Sequence, residues 1–266
     1  FCTYCIIPYV RGKVRSKKHE EVIKEVKSLV DKGYKEIVLT GIHTGHYIDG
    51  EYNFENLLKD LIKIEGLIRL RISSIEINEL TDGVLDIFSK SNILVPHLHI
   101  PLQSGSNKVL KEMNRKYDKE YFINRINYIR KIKENVSITT DVIVGFPGET
   151  EEEHKESMET IKEVGFTKVH TFPYSDRYGT IASTMPNKVD GNIKKRRVKE
   201  LLTLSKELEV NFYKKFYNKK LEVLIEEEKD GFFYGHTPNF IRVKISGNYT
   251  LNEIYTVELN ESNIVY

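Results

Sequence analysis

Apolar positions recur along the chain in two periods. Val22, Ile23, Val26, Leu29 and Val30 fall at helical spacing, with Ser16 placed to cap the start and Gly33 to end the helix. A short apolar run at 36–39 then predicts a buried strand ending in Thr40 and Gly41. Leu57, Leu58, Leu61 and Ile62 predict the next helix, 67–72 a strand ending in Ser73 and Ser74, and Val84, Leu85 and Phe88 another helix. The alternation continues with a strand at 98–100, a helix over 121–132 and a strand over 138–144. A helix face of Met158, Ile161 and Val164, a strand over 169–174 and a long helix over 193–217 complete it.

Strand–helix alternation of this kind predicts a parallel sheet with right-handed crossovers. The expected fold class is α/β, a partial (β/α)6 barrel whose first strand lies upstream of Phe1. In such barrels chemistry gathers where strands end and helices begin, and the Gly, Ser and Pro clusters of this chain sit at those ends. From about Leu221 the pattern changes to short strand-like runs separated by turn signals such as Lys229-Asp-Gly and Ser246-Gly-Asn. These runs, five in all, predict a small all-β barrel of a size usual for oligonucleotide-binding folds. The expected domains are 1–204 and 205–266, the second with its leading helix.

Composition narrows the function classes. With 39% hydrophobic and 30% charged residues over 266 positions, the chain is ordinary globular protein. No apolar run is long enough to span a bilayer and no signal peptide opens the chain, so a cytoplasmic location with no membrane partner is expected. The chain opens on Phe1-Cys2 rather than Met, which reads as a truncated or processed piece. Formal net charge is only +2, but residues 191–220 hold ten Lys or Arg against three acids, and residues 221–266 hold three bases against eight acids. The basic stretch is either a solvated helix face or a phosphate-binding edge.

Cys2 and Cys5 are the only cysteines, too few and too close for a secreted disulfide scaffold. A lone C-x-x-C is half a zinc site, a redox pair or part of an iron–sulfur site. No second C-x-x-C or His pair stands at zinc-finger spacing.

The segment Phe1-Cys-Thr-Tyr-Cys-Ile-Ile-Pro-Tyr-Val-Arg-Gly resembles the cluster loop of radical S-adenosylmethionine methylthiotransferases, whose signature is C-x-x-x-C-x-x-C. Cys2 and Cys5 match its second and third cysteines, and the first would precede Phe1 by three residues. The resemblance implies a 4Fe–4S cluster on three thiolates, with the open iron chelated by S-adenosylmethionine. It also implies a second 4Fe–4S cluster on an amino-terminal domain outside this sequence, and an electron donor of flavodoxin or ferredoxin type.

The likeness continues through the whole chain. Tyr4 matches the aromatic that packs near the adenine. Thr40 and Gly41, in Leu39-Thr-Gly-Ile-His-Thr-Gly, fall where the superfamily binds the methionine amino group by backbone carbonyls. Ser74 and Glu76 are candidates for the ribose or methionyl part. His99-Ile-Pro-Leu-Gln-Ser-Gly-Ser with Met113-Asn-Arg-Lys-Tyr is close to a family hallmark; it implies Gln103 and Ser104 in the cofactor pocket and Arg115 on a carboxylate. Thr140-Asp-Val-Ile-Val-Gly-Phe-Pro-Gly-Glu resembles the strand that stacks the adenine, with backbone edges from Val142 to Gly145, while Glu149 is expected to cap the next helix.

His170-Thr-Phe-Pro-Tyr-Ser-Asp-Arg-Tyr-Gly-Thr resembles the last barrel strand of the family, with Tyr174, Ser175 and Arg177 as candidate substrate contacts. The terminal runs resemble the TRAM RNA-binding domain, where Phe240 and Arg242 are candidates to stack bases or hold phosphates. Lys194, Arg196 and Arg197 are expected to share the binding. The motif pair looks most like the branch that methylthiolates threonylcarbamoyladenosine next to the tRNA anticodon. The isopentenyladenosine branch and ribosomal-protein methylthiotransferases are alternatives, and a zinc-containing RNA-binding protein is the non-enzymatic one.

Overall fold

The computed structural model describes residues 2–266. In chain order the elements begin with α1 (Ile7–Arg11), α2 (His19–Asp31), β1 (Glu36–Leu39), and a small hairpin of β2 (Ile48–Asp49) and β3 (Tyr52–Asn53). Then come α3 (Phe54–Leu61), β4 (Arg69–Ile72), α4 (Asp82–Lys90), β5 (His97–His99), α5 (Asn107–Glu112) and α6 (Lys119–Ile132). β6 (Ser137–Val144), α7 (Glu151–Val164), β7 (Lys168–Pro173) and the long α8 (Gly191–Lys214) lead to four strands, β8 (Lys220–Lys229), β9 (Phe232–His236), β10 (Arg242–Ile245) and β11 (Ile254–Glu258). The α/β alternation is as expected: β1, β4, β5, β6 and β7 lie within two residues of their expected bounds, while the β2–β3 hairpin had no counterpart in the pattern.

The chain forms two compact units that interleave in sequence. One contains residues up to 15, 100–129 and 138–208; the other contains 16–99, 130–137 and 209–266. The expected boundary at 204/205 falls inside α8.

In the first unit, β6 and β7 pair in parallel from Thr139↔Lys168 to Val144↔Pro173. β6 is buried at most positions because both its edges are used: Gln103 bridges Val142 on one side and β7 lies on the other. α7 starts on Thr150, whose hydroxyl accepts from Glu153 N–H while the Glu153 carboxylate accepts from Thr150 N–H, a reciprocal cap. It ends on Gly165, in the left-handed region. α7 comes very close to the 104–106 loop. A Cβ added at Gly105 would stand 2.7 Å from the Ser157 backbone and from Thr160 Cβ.

In the second unit, β1 and β4 pair in parallel from Glu36↔Arg69 to Leu39↔Ile72. The helix after the cysteine loop begins at His19, not after Ser16. Its N-cap, Lys18, makes no side-chain cap, and Ser16 Oγ instead accepts Ile48 N–H at 3.0 Å. The terminal strands form an antiparallel sheet in the order β10-β9-β8-β11. Its core gathers Val223, Ile225, Phe233, Val243, Ile245 and Val257 with Tyr213 and Phe216 at the end of α8. Of the five runs expected, the last contributes only a bridge, Ile264 to Val243.

All four residues of β4 are buried, including Arg69 and Arg71. Arg71 forks onto Glu36, with Nε–Oε1 at 2.6 Å and Nη2–Oε2 at 3.2 Å, and its Nη1 donates to the Pro238 carbonyl at 3.2 Å. Arg69 donates to the carbonyls of His236 (3.1 Å) and Glu222 (3.2 Å). Buried guanidiniums need such oxygens, because an unpaired buried charge is costly. Removing one partner of a buried pair is therefore worse than removing both. Arg71→Met is expected to cost about 3 kcal/mol in urea unfolding, with part of the loss regained when Glu36→Gln is added. A single variant as stable as the parent would show that this pair does not hold the unit.

Candidate functional site

The cysteine loop has little regular structure of its own, and Thr3 fixes it. Thr3 N–H donates to the Met113 carbonyl at 3.1 Å, its hydroxyl to the Glu112 carbonyl at 2.9 Å, and its own carbonyl accepts Ala182 N–H at 2.9 Å. Cys5 N–H returns to the Cys2 carbonyl at 3.2 Å, so the two thiols share one tight turn. Both are free and partly exposed. Pro8 sits in the first turn of α1, where its missing N–H costs nothing.

Tyr4 packs edge-on against Phe146, at 6.4 Å between ring centres, and Phe146 packs in the same manner on Tyr174. Burial pushes the Tyr4 hydroxyl far above its ordinary range; Cys2 adds to the rise and Arg115 opposes it. Arg115 places Nη1 3.2 Å from Cys2 Sγ and Nε 3.0 Å from the Tyr117 hydroxyl.

The remaining expected residues of the first unit divide into groups that face outward and groups used internally. Gln103 takes a left-handed backbone, φ +67°, and is tied to β6 by its N–H to the Asp141 carbonyl and its carbonyl to Ile143 N–H. Ser104 is turned inward. It is fully buried, with its hydroxyl 3.2 Å from Ser157 Oγ, and it holds the loop onto α7. The backbone edge expected over Val142–Gly145 is also largely taken. The Val144 carbonyl accepts Tyr174 N–H, and Gly145 N–H donates to Glu149 at 2.5 Å. Gly145 has φ +72°, and a Cβ there would meet Lys194 Cγ at 2.2 Å, so only glycine fits.

Glu149 does not cap α7, since Thr150 does. Its buried carboxylate instead takes Gly145 N–H and Arg197 Nη1, the latter at 2.7 Å. Burial raises the Glu149 carboxyl above its ordinary value, against the Gly145 amide and Arg197. The basic start of α8 is thus occupied within the unit. Arg197 is buried on Glu149, Arg196 pairs with Glu151 and Glu200, and Lys194 donates to the Tyr174 carbonyl. Of the three residues expected to share RNA binding, Arg197 is buried, Lys194 meets only a neutral carbonyl, and Arg196 stays exposed in its ion pairs. Tyr174 is buried with its hydroxyl on Asp176, while Ser175 and Arg177 are exposed.

In the second unit, Thr40 and Gly41 are exposed just past the end of β1. Ser74 and Glu76 are half-buried past the end of β4. Sequence reasoning passed over Glu79, whose buried carboxylate gathers Gly45 N–H (3.1 Å), His43 Nδ1 (3.2 Å), Glu76 N–H (3.3 Å) and His46 Nε2 (3.4 Å). Phe240 has φ +66°. Its ring stacks on those of His97 and His236, at 4.6 and 4.4 Å, with the Arg71 guanidinium 4.7 Å from its centre, and it stays partly exposed. Arg242 is exposed, paired to Glu227 and set over Tyr234.

Two soft thiolates on one turn suit an iron–sulfur cluster. Among the described residues, no group of three His, Cys, Asp or Glu is placed to hold a metal ion.

The family model of the Radical SAM superfamily matches residues 1–161. The chain belongs to the radical SAM superfamily. It is 49% identical over 255 residues to threonylcarbamoyladenosine tRNA methylthiotransferase MtaB of Bacillus subtilis (strain 168), covering 93% of this chain and 56% of that protein. It is 42% identical over 229 residues to tRNA-2-methylthio-N(6)-dimethylallyladenosine synthase of Desulfitobacterium hafniense (strain Y51), covering 85% and 51%. The chain spans about half the length of these relatives. Coproporphyrinogen III oxidase (HemN) from Escherichia coli, a radical SAM enzyme, shares the fold with a TM-score of 0.58 at 14% identity, over 92% of this chain and 64% of that one. No helix among the described residues is long and apolar enough to cross a membrane.

The ion pairs at the start of α8 carry a pH signature. Glu151 is held down to about 2, first by its hydrogen bond from Arg196 and then by Arg197. A depressed carboxylate stabilises the fold above its ordinary value of 4.5, and that contribution disappears as pH falls toward 2. Glu151→Gln is expected to flatten the urea-midpoint curve between those two pH values. Curves for variant and parent that stay parallel through this window would remove Glu151 from the account.

Proposed function

We propose that this chain is part of a radical S-adenosylmethionine methylthiotransferase that adds a methylthio group to the adenine of threonylcarbamoyladenosine beside the tRNA anticodon. The observation that carries the reading is the 49% identity to a protein of that name, spread over 93% of the chain. Within the first unit, the cysteine turn beside the Tyr4–Phe146–Tyr174 cluster supports it.

Cys2 and Cys5 would hold a 4Fe–4S cluster. The exposed Thr40 and Gly41 backbone would take the amino group of S-adenosylmethionine, and Ser74, Glu76 and Gln103 other polar parts of it. Tyr4 and Phe146 would exclude water beside Cys2. When bound, the cluster and the sulfonium nucleotide supply one-electron cleavage of a carbon–sulfur bond and hydrogen abstraction. Ser175 and Arg177 stand exposed past β7 to contact substrate.

The terminal sheet is read as a TRAM module. Its outer face offers RNA the Tyr234, Arg242 and Lys244 side chains, with Lys244 also over the Phe232 ring at 3.8 Å. The reading includes a second 4Fe–4S cluster on an amino-terminal domain of the whole protein, a flavodoxin or ferredoxin as reductant, and a cytoplasmic location. Methylthiolation of isopentenyladenosine-type bases is the second reading, favoured by the 42% identical relative.

Nucleoside mass analysis separates the two. The full-length gene, expressed in a bacterial strain lacking its own enzyme, is expected to restore 2-methylthio-threonylcarbamoyladenosine, and Cys2→Ala or Cys5→Ala to abolish it. A methylthio group found only on the isopentenyl nucleoside would transfer the assignment to the second reading. No modified tRNA at all would end both.

A further inference from the structure

Arg115 is anchored before it reaches Cys2. Its backbone N–H donates to the Leu110 carbonyl at 2.9 Å, and the preceding Asn114 turns the chain in the left-handed region, φ +59°. Its Nε donates to the Tyr117 hydroxyl at 3.0 Å, and that hydroxyl donates in turn toward the carbonyls of Pro101 (2.9 Å) and Leu102 (3.0 Å). The guanidinium carbon lies 5.0 Å from the centre of the Tyr117 ring. Held in this way, Nη1 points at Cys2 Sγ across 3.2 Å.

Donors aimed at a ligating sulfur have a defined electronic effect. They draw negative charge off the thiolate and favour the reduced, more negative state of the cluster, so they raise its reduction potential. Arginine does this at every physiological pH, because its guanidinium does not give up its proton.

We propose that Arg115 acts on the cluster rather than on the sulfonium nucleotide: it donates a hydrogen bond to the Cys2 thiolate and raises the potential at which the cluster accepts its electron. The inference rests on the reading of Cys2 as a cluster ligand. It makes Arg115 a positioning and tuning residue, with Tyr117 as the group that aims it.

The test uses the full-length protein, reconstituted anaerobically with iron and sulfide. The midpoint potential of the cluster is followed by electron paramagnetic resonance, and the affinity for S-adenosylmethionine is measured separately. Arg115→Gln is expected to keep the cluster, to move its midpoint to more negative potential and to bind S-adenosylmethionine within a few-fold of the parent. Tyr117→Phe is expected to move the midpoint in the same direction by less. It also carries the test alone if Arg115→Gln does not retain iron. Midpoints equal to the parent in the variants that hold a cluster overturn the proposal, and do so most plainly if nucleotide affinity collapses in Arg115→Gln. A parent protein that takes up no iron overturns the proposal together with the reading beneath it, and that failure is recognised before any variant is made.

Discussion

Thr3 carries the geometry of the candidate centre. It stands between the two cysteines, and its three hydrogen bonds tie their turn to the end of α5 and to the turn at Ile181–Thr184. A loop with so few internal hydrogen bonds has no preferred shape of its own. Because α5 is also the helix that leads into Arg115, one threonine fixes both thiols and the guanidinium that addresses one of them. The aromatic cluster of Phe146 and Tyr174 then closes over Tyr4 from the ends of β6 and β7.

The second organising feature is the burial of charge. Glu149 and Arg197 are both buried, and their pairing pulls the start of α8 onto the Gly145 turn. Lys194 then passes so close that residue 145 has no room for a side chain. This packing gives Lys194 and Arg197 internal partners. Lys195, Arg196 and Lys199 remain exposed on α8.

The fold was largely legible because the apolar period is strong. Leu57, Leu58 and Leu61 on α3, or Ile138, Val142 and Val144 on β6, are buried as their spacing requires. The errors lie where a side chain has two uses for one hydrogen bond. Ser16 has the chemistry of a helix cap, yet its hydroxyl meets Ile48 N–H across a distance in sequence that no local pattern encodes. Glu149 and Ser104 are the same case, polar residues in conspicuous motifs whose partners, Arg197 and Ser157, lie some fifty residues away. Glu79 and Arg71 were invisible for the opposite reason. Each sits in an unremarkable stretch, and only the fold shows them to be buried and to gather four or more contacts. The only forewarning was a charged residue inside an apolar strand at Arg69 and Arg71.

Those two arginines bear on how the polypeptide can be divided. The expected boundary at 204/205 invites a cut there, as though the terminal strands were a removable appendage. The carbonyl oxygens of Glu222, His236 and Pro238 all lie beyond that point, and they are what solvate the two guanidiniums of β4. Removing the strands beyond the join would take away those carbonyls and leave Glu36 as the partner of both guanidiniums. The β1–β4 pair and the terminal sheet are thus a single thermodynamic object written in two distant stretches of sequence.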